Sequence, residues 1–183
     1  MILITSDTHG DLAAWEGVMN KYQKDLKLIL HAGDVLYHGP RNPLTPGYAP
    51  QALADSMRQL PVPLLIAQGN CDSQVDEMVL ELPLASEYIV TIIAGKKVLL
   101  HHGHRLDEGT VQRLCRQWAI DLCIQGHTHV PVLTRIDNTV FLNPGSPSLP
   151  KQGKEGTIGL WEGETISLVA WQAGQVVAQI KLE

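Results

Sequence analysis

Five short segments hold nearly all the residues that could do metal or acid–base chemistry: S-D-T-H-G at 6–10, H-A-G-D-V at 31–35, Q-G-N-C-D at 68–72, H-H-G-H-R at 101–105 and G-H-T-H-V at 126–130. Together they supply Asp7, His9, Asp34, Asn70, His102, His104, His127 and His129. A single D-x-H or G-D is common, and a single strand-end histidine is more often structural than a ligand. The set is different, because carboxylates and imidazoles are rarely buried unless paired or bound to metal. Imidazole mixed with carboxylate oxygen suits Mn, Fe, Zn, Co or Ni rather than Ca. So many donors exceed what one tetrahedral ion needs and suit two ions sharing a bridging carboxylate.

The elements that must position these residues follow from the apolar pattern. Residues 1–5 and 26–31 are apolar, β-branched runs that read as buried strands, and 62–67 is a third. Leu12, Trp15, Val18, Met19 and Tyr22 recur at helical spacing, which predicts a helix over 11–24 capped by Asp11, and a second helix covers 51–60. Residues 35–50 contain Gly39, Pro40, Pro43, Pro46, Gly47 and Pro50, so they form a long loop of the kind that is often functional. This β-α-β-α-β order predicts parallel strands. Beyond residue 86 the rhythm changes. Tyr88–Ala94 and Val98–His102 flank G-K-K as a hairpin, a helix over 108–118 leads to a strand over 121–125, and strands at 131–135 and 139–142 flank I-D-N-T. The last 27 residues, punctuated by Gly163 and Gly174, read as a three-strand meander. The expected fold is α/β, two packed mixed sheets flanked by helices, in one domain over 1–183. Each reactive segment then falls just beyond the C-terminal end of a strand, where open α/β folds bind ligands.

Composition narrows the function classes. The net charge is −5 and aromatics are 5 %, with no basic run, so no nucleic-acid-binding surface is evident. No apolar run approaches a membrane span. The 3 cysteines, Cys71, Cys115 and Cys123, form no C-x-x-C pair, which fits a reducing, cytoplasmic setting rather than a disulfide framework. The start, M-I-L-I-T-S-D, lacks the basic and apolar regions of a signal peptide. Apolar positions on the C-terminal meander allow an interface between copies, a homo-oligomer.

Taken in order, D-x-H, G-D, G-N-x-D, H-G-H and G-H-T-H over residues 7–129 resemble the signature of the calcineurin-like metallophosphoesterase superfamily. The segments G-D-V-L-Y-H-G-P-R-N-P, G-N-C-D-S-Q-V-D-E-M and N-P-G-S-P-S-L-P-K-Q-G are similar to its small bacterial YfcE-type phosphodiesterases. The resemblance implies that Asp7, His9, Asp34 and His129 hold one divalent ion. Asp34, Asn70, His102 and His127 hold the other, with Asp34 as the bridge. It implies Mn²⁺ first, and hydrolysis of a small-molecule phosphodiester by a metal-bridging hydroxide. Asp34, Asn70, Asp72 and His104 are the catalytic candidates. Asp72 is expected to buttress Asn70 or a ligand imidazole, and His104 to stand outside the ligands or contact phosphate. His101, one residue from His102 in a strand, should point the other way into packing. His31 reads as a strand residue, and His38 and Arg41 as shaping the substrate entrance. Asn143 is expected to start a turn.

Cys71 departs from the superfamily, where many phosphatases place histidine as general acid. Three readings stand, in order: a filler, a weak acid, a nucleophile. The missing imidazole weighs toward diesters and against the alternative of a phosphomonoesterase. A second alternative is a non-catalytic scaffold with this fold, which the complete ligand set disfavours.

Overall fold

The structure is a computed structural model and describes residues 1–84, 86–152 and 155–182. Gly153 of N-P-G-S-P-S-L-P-K-Q-G and Glu183 at the end of the meander lie outside the described residues.

The chain builds two mixed sheets flanked by helices. Strands β1 (Ile2–Thr5), β2 (Leu28–His31) and β3 (Leu64–Ile66) run parallel. The meander of β9 (Thr157–Glu162), β10 (Thr165–Ala170) and β11 (Gln175–Lys181) extends this sheet by pairing β9 antiparallel to β1, giving the order β11-β10-β9-β1-β2-β3. The second sheet has the order β4-β5-β6-β8-β7, from β4 (Tyr88–Ile93), β5 (Lys96–His101), β6 (Leu122–Ile124), β7 (Val132–Ile136) and β8 (Thr139–Asn143). Its three central strands are parallel and its edges antiparallel.

Strand alternation decides which side chain enters which layer. Ile4, Leu30, Leu100, Leu122, Ile124 and Leu142 are fully buried and fill the space between the sheets. Their neighbours Leu3 and Ile29 face the other way, under helices α1 (Leu12–Tyr22) and α2 (Pro50–Arg58), where Trp15, Leu53 and Met57 cover them. Helix α4 (Glu108–Trp118) covers Leu99 and Cys123 on the second sheet. Full burial of such a Leu or Ile side chain contributes about 1.5–3 kcal/mol, so each layer boundary is held by several independent contributions.

The helix starts follow from side-chain chemistry. Asp11 accepts from Ala14 N at 2.8 Å and Asp107 from Thr110 N at 3.0 Å, each satisfying an orphan donor of the first turn. Two expectations need correction. Helix α3 (Gln74–Leu80) falls in a segment for which the sequence predicted no element. It starts at a capping box between Ser73 and Asp76, and Leu80 is its one buried residue, so apolar periodicity does not betray it. The β4–β5 turn lies at Ala94–Gly95, with φ of 50° and 79°, so Gly95 belongs to it while Lys96 and Lys97, expected in the turn, begin β5. Both central residues have positive φ, as two-residue hairpin turns with the right twist demand.

A candidate metal centre at the carboxyl ends of the strands

The parallel strands of both sheets end at one rim, and the five reactive segments meet there. The backbone is tightly constrained. Asp7, His9, Asp34, His127 and His129 all have positive φ, between 46° and 70°. Such φ values cost on the order of 1–3 kcal/mol each and persist only where surrounding structure enforces them. The enforcement is visible. Asp7 N donates to Gly33 O at 2.9 Å and His9 N to Asp34 O at 3.1 Å, locking the first two segments together. Glycines permit the rest of the approach. A Cβ on Gly126 would overlap Ser6 Oγ and Asp7 Oδ2, and one on Gly69 would overlap Asp34 Oδ1.

Each carboxylate spends one oxygen on the protein. Asp7 Oδ2 accepts from Ser6 Oγ at 2.6 Å and His127 N at 2.9 Å, and Asp34 Oδ1 accepts from Cys71 N at 2.8 Å. The other oxygens face imidazoles. Asp7 Oδ1 lies 3.4 Å from His129 Nε2, 3.7 Å from His9 Nε2 and 3.9 Å from His102 Nε2. Asp34 Oδ2 lies 3.4 Å from His102 Nε2 and 3.7 Å from His9 Nε2. Asp7 is completely buried, yet its Oδ1 has no hydrogen-bond partner among the described residues.

The imidazoles are oriented alike. His9 Nδ1 meets Tyr37 O, His102 Nδ1 meets Ala32 O and His129 Nδ1 meets Leu149 O, each at 2.7 Å. A carbonyl oxygen only accepts, so each Nδ1 carries its hydrogen, and in the neutral ring each Nε2 presents a lone pair. His9 and His129 Nε2 atoms are 3.1 Å apart, and His102 Nε2 is 3.1 Å from Asn70 Oδ1. Acceptors that converge this closely around an orphaned carboxylate oxygen fit a cation bound between them. Carboxylate plus imidazole is the donor set of a first-row divalent ion.

The titration of these groups has the same origin. Burial would raise the Asp7 carboxyl, but His129, His102 and Ser6 hold it below the usual range; His102 and the Cys71 N–H do the same for Asp34, more strongly. Burial would lower His102, but its contact with Asp34 and the charges of Asp7 and Asp34 push it up to about 9. At neutral pH this pocket draws a positive charge.

Other expected site residues fall as follows. Asn70 is exposed at the mouth, and the His127 ring lies 5.1 Å from the His102 ring by centroids. His104 sits 5.3 Å from His102 and receives Arg105 Nε at 3.2 Å; it is not among the residues lining the cleft above the centre. Asp72 contacts neither Asn70 nor an imidazole by hydrogen bond. Its two oxygens accept from Asp34 N at 2.8 Å, Val35 N at 2.8 Å and Gly69 N at 2.7 Å, so it holds the backbone of Asp34 instead. Cys71 is free and half-buried. Its Sγ faces the centre, within 4.8 Å of donor atoms of His9 and Asp34. Burial, then the charge of Asp34, push the thiol up to about 12, so it is neutral at pH 7. His101 packs inward against Cys123 Sγ at 3.6 Å. Asn143 Nδ2 donates to Gly126 O at 2.9 Å, and its Oδ1 accepts from Gly145 N at 2.9 Å, bracing two turns. Arg41 lines the cleft, whereas the His38 ring sits edge-on between Tyr37 and Tyr48.

Three supports were not foreseen from the sequence, in which His31 reads only as a strand residue. His31 Nδ1 accepts from Gly33 N at 3.1 Å, so its Nε2 carries the hydrogen and donates to Thr8 Oγ1 at 3.0 Å. Thr8 in turn donates to Val35 O at 3.0 Å, so the buried imidazole ties the first segment to the second. Ser146 Oγ donates to Asp7 O at 2.7 Å, and Ser148 Oγ to Thr8 O at 3.0 Å. Only the turn character of N-P-G-S-P-S was legible.

A four-layer α/β/β/α fold with buried carboxylates and imidazoles at its strand ends is that of a metallohydrolase. The model of the calcineurin-like phosphoesterase superfamily domain matches residues 1–165, and the chain belongs to that superfamily. It is 32 % identical over 182 residues to the phosphodiesterase YfcE of Escherichia coli K12, covering 99 % of this chain and 97 % of that protein. It is also 32 % identical over 157 residues to a probable metallophosphoesterase of Methanothermobacter thermautotrophicus, covering 82 % of this chain and 79 % of that one. Among solved structures, that of E. coli YfcE, described as a phosphoesterase, superimposes with a TM-score of 0.89 at 30 % identity, covering 100 % of this chain and 99 % of that one.

Proposed function

We propose that this chain is a dinuclear metal-dependent phosphodiesterase acting on a small-molecule diester, with residues 1–183 as its one domain. The observation that carries the reading is the buried Asp7 Oδ1, partnerless among the described residues, facing three Nε2 atoms at 3.4–3.9 Å. Membership of the superfamily and the likeness to a named phosphodiesterase support it.

Asp7, His9, Asp34 and His129 would hold one divalent ion, and Asp34, Asn70, His102 and His127 the other, with Asp34 shared. When bound, the ions supply Lewis acidity to the phosphoryl oxygens and lower the pKa of water toward about 7. The protein does the rest. Backbone carbonyls keep the three Nδ1 hydrogens turned away, so the Nε2 lone pairs stay available. Asp72 fixes the backbone around Asp34 by accepting from the N–H groups of Asp34, Val35 and Gly69, which makes it a positioning residue. Asn70 contributes a neutral oxygen and so limits the negative charge facing an anionic substrate. No imidazole stands at position 71, and a thiol raised to about 12 is a poor proton donor. That favours diesters with good leaving groups over monoesters. The remaining candidates to supply the proton are solvent and His104, which is tilted against His102 and His127 but does not line the cleft. Mn²⁺ is the ion this reading favours, in the cytoplasm, where Cys71, Cys115 and Cys123 stay free.

The test is hydrolysis of 4-nitrophenyl mono- and diesters by chelator-treated protein with and without Mn²⁺. The reading requires diester turnover that chelation abolishes, Mn²⁺ restores and Asp34→Asn removes. Turnover that survives exhaustive chelation contradicts it.

A further inference from the structure

The cleft over the centre has a volume of about 1100 Å³, far more than one phosphoryl group fills. Its outer wall carries two cations, Arg41 from the loop after β2 and Lys151 from the loop between β8 and β9. The overall charge of the chain is −5, so two cations on one wall of this cleft run against the general trend.

Lys151 is tied to the centre, and Arg41 adjoins the residue that Lys151 grips, Asn42. Lys151 N donates to His129 O at 3.3 Å, and its Nζ donates to Asn42 Oδ1 at 3.2 Å. Asn42 closes its own turn, with Nδ2 donating to His38 O at 2.9 Å and N to Gly39 O at 3.4 Å. That turn rests against Cys71: a Cβ on Gly39 would lie 3.1 Å from Cys71 Sγ. A continuous rim thus runs from His129 through Lys151, Asn42 and Gly39 to Cys71.

No carboxylate lining the cleft is ion-paired with either cation among the described residues. Asp34 belongs to the centre, Asp72 is occupied by three backbone N–H groups, and Asp76 accepts from Ser73 N at 2.6 Å and Ser73 Oγ at 2.9 Å. Arg41 makes no hydrogen bond or ion pair among the described residues, so its planar fork of donors is available to a ligand. Lys151 has donors beyond the one it gives to Asn42.

We infer that Arg41 and Lys151 form an anion-recognition rim that selects phosphodiesters carrying a second anionic group on the arm lying along residues 38–42. The inference rests on the diesterase reading of the site. Two cations converging on one anion at a partly exposed rim should favour it about tenfold, an effect screened by salt.

The experiment uses Mn²⁺-loaded protein and three 4-nitrophenyl phosphodiesters whose second arm is ethyl, 2-carboxyethyl or 2-phosphoethyl. The wild type should show about tenfold higher kcat/KM for the anionic arms, carried by KM and reduced by 0.5 M NaCl. In Arg41→Gln and Lys151→Gln the anionic-to-neutral ratio should fall several-fold, and Lys151→Arg should restore it. Comparing the two anionic arms shows whether carboxylate or phosphoryl is preferred. Equal kcat/KM for all arms in the wild type, or a ratio unchanged in both Gln variants, overturns the rim while the diesterase reading stands. Absence of Mn²⁺-dependent turnover of every diester overturns both.

Discussion

Buried neutral His31 should make the metal-free protein acid-sensitive, by an amount the structure sets. The ring is fully buried, and burial pushes it down to about 4 against an ordinary value of 6.5. Its hydrogen bonds use the neutral ring, with Nδ1 accepting from Gly33 and Nε2–H reaching Thr8. Between pH 6.5 and 4 the unfolded chain therefore binds a proton that the folded chain refuses. Stability that His31 supports is fully present above pH 6.5 and is lost as pH falls through that window, levelling off below pH 4. A separation of about 2.5 units at 1.36 kcal/mol per unit corresponds to a loss of about 3 kcal/mol. The assay is urea unfolding of metal-stripped protein at half-unit steps from pH 7 to 4, beside His31→Gln, which cannot titrate. Other groups titrate in both proteins, so the difference between the two curves isolates His31. The variant should be less stable at pH 7 and close the gap by about 3 kcal/mol on acidification. Parallel curves would refute the claim that this imidazole is held neutral.

Asp72→Ala leaves three buried N–H groups without an acceptor; at about 1–3 kcal/mol each, unfolding free energy should drop by at least about 3 kcal/mol. Mn²⁺ affinity, read by calorimetry, should fall about 10–100-fold, and an unchanged affinity would remove Asp72 from the account. Because His102 is pushed up to about 9, an entering cation displaces a proton at neutral pH. Mn²⁺ affinity should therefore weaken about tenfold per unit from pH 8 to 7, with binding enthalpy that depends on the buffer's ionisation heat; a flat profile refutes this. Cys71→Ala should keep substantial turnover of an aryl diester, since a neutral thiol is no nucleophile; complete loss with both metals still bound would sink that reading.

The sheets were legible because apolar runs and β-branched residues report burial directly, and helix α4 was expected over 108–118, where Asp107 caps it. Helix α3 was not, since Val75 and Met78 are exposed and its only strong signal is the Ser73–Asp76 box. Donor types at the strand ends could be read from residue identity and from the resemblance that ordered them. What could not be read is how five loops close on one point. The positive φ at Asp7, His9, Asp34, His127 and His129 is imposed by contacts distant in sequence. The same holds for the grip of Ser146 on Asp7 and of Asp72 on Asp34. The direction of Cys71 also depends on tertiary geometry, since its N–H is drawn to Asp34 Oδ1.

The central claim is that two ions share the Asp34 carboxylate, and electron paramagnetic resonance during Mn²⁺ titration of metal-stripped protein tests it most directly. Two equivalents should bind per chain, the second producing the broadened signal of an exchange-coupled pair, and Asp34→Asn should abolish that coupling. One isolated Mn²⁺ per chain at saturation, or none, would contradict the account.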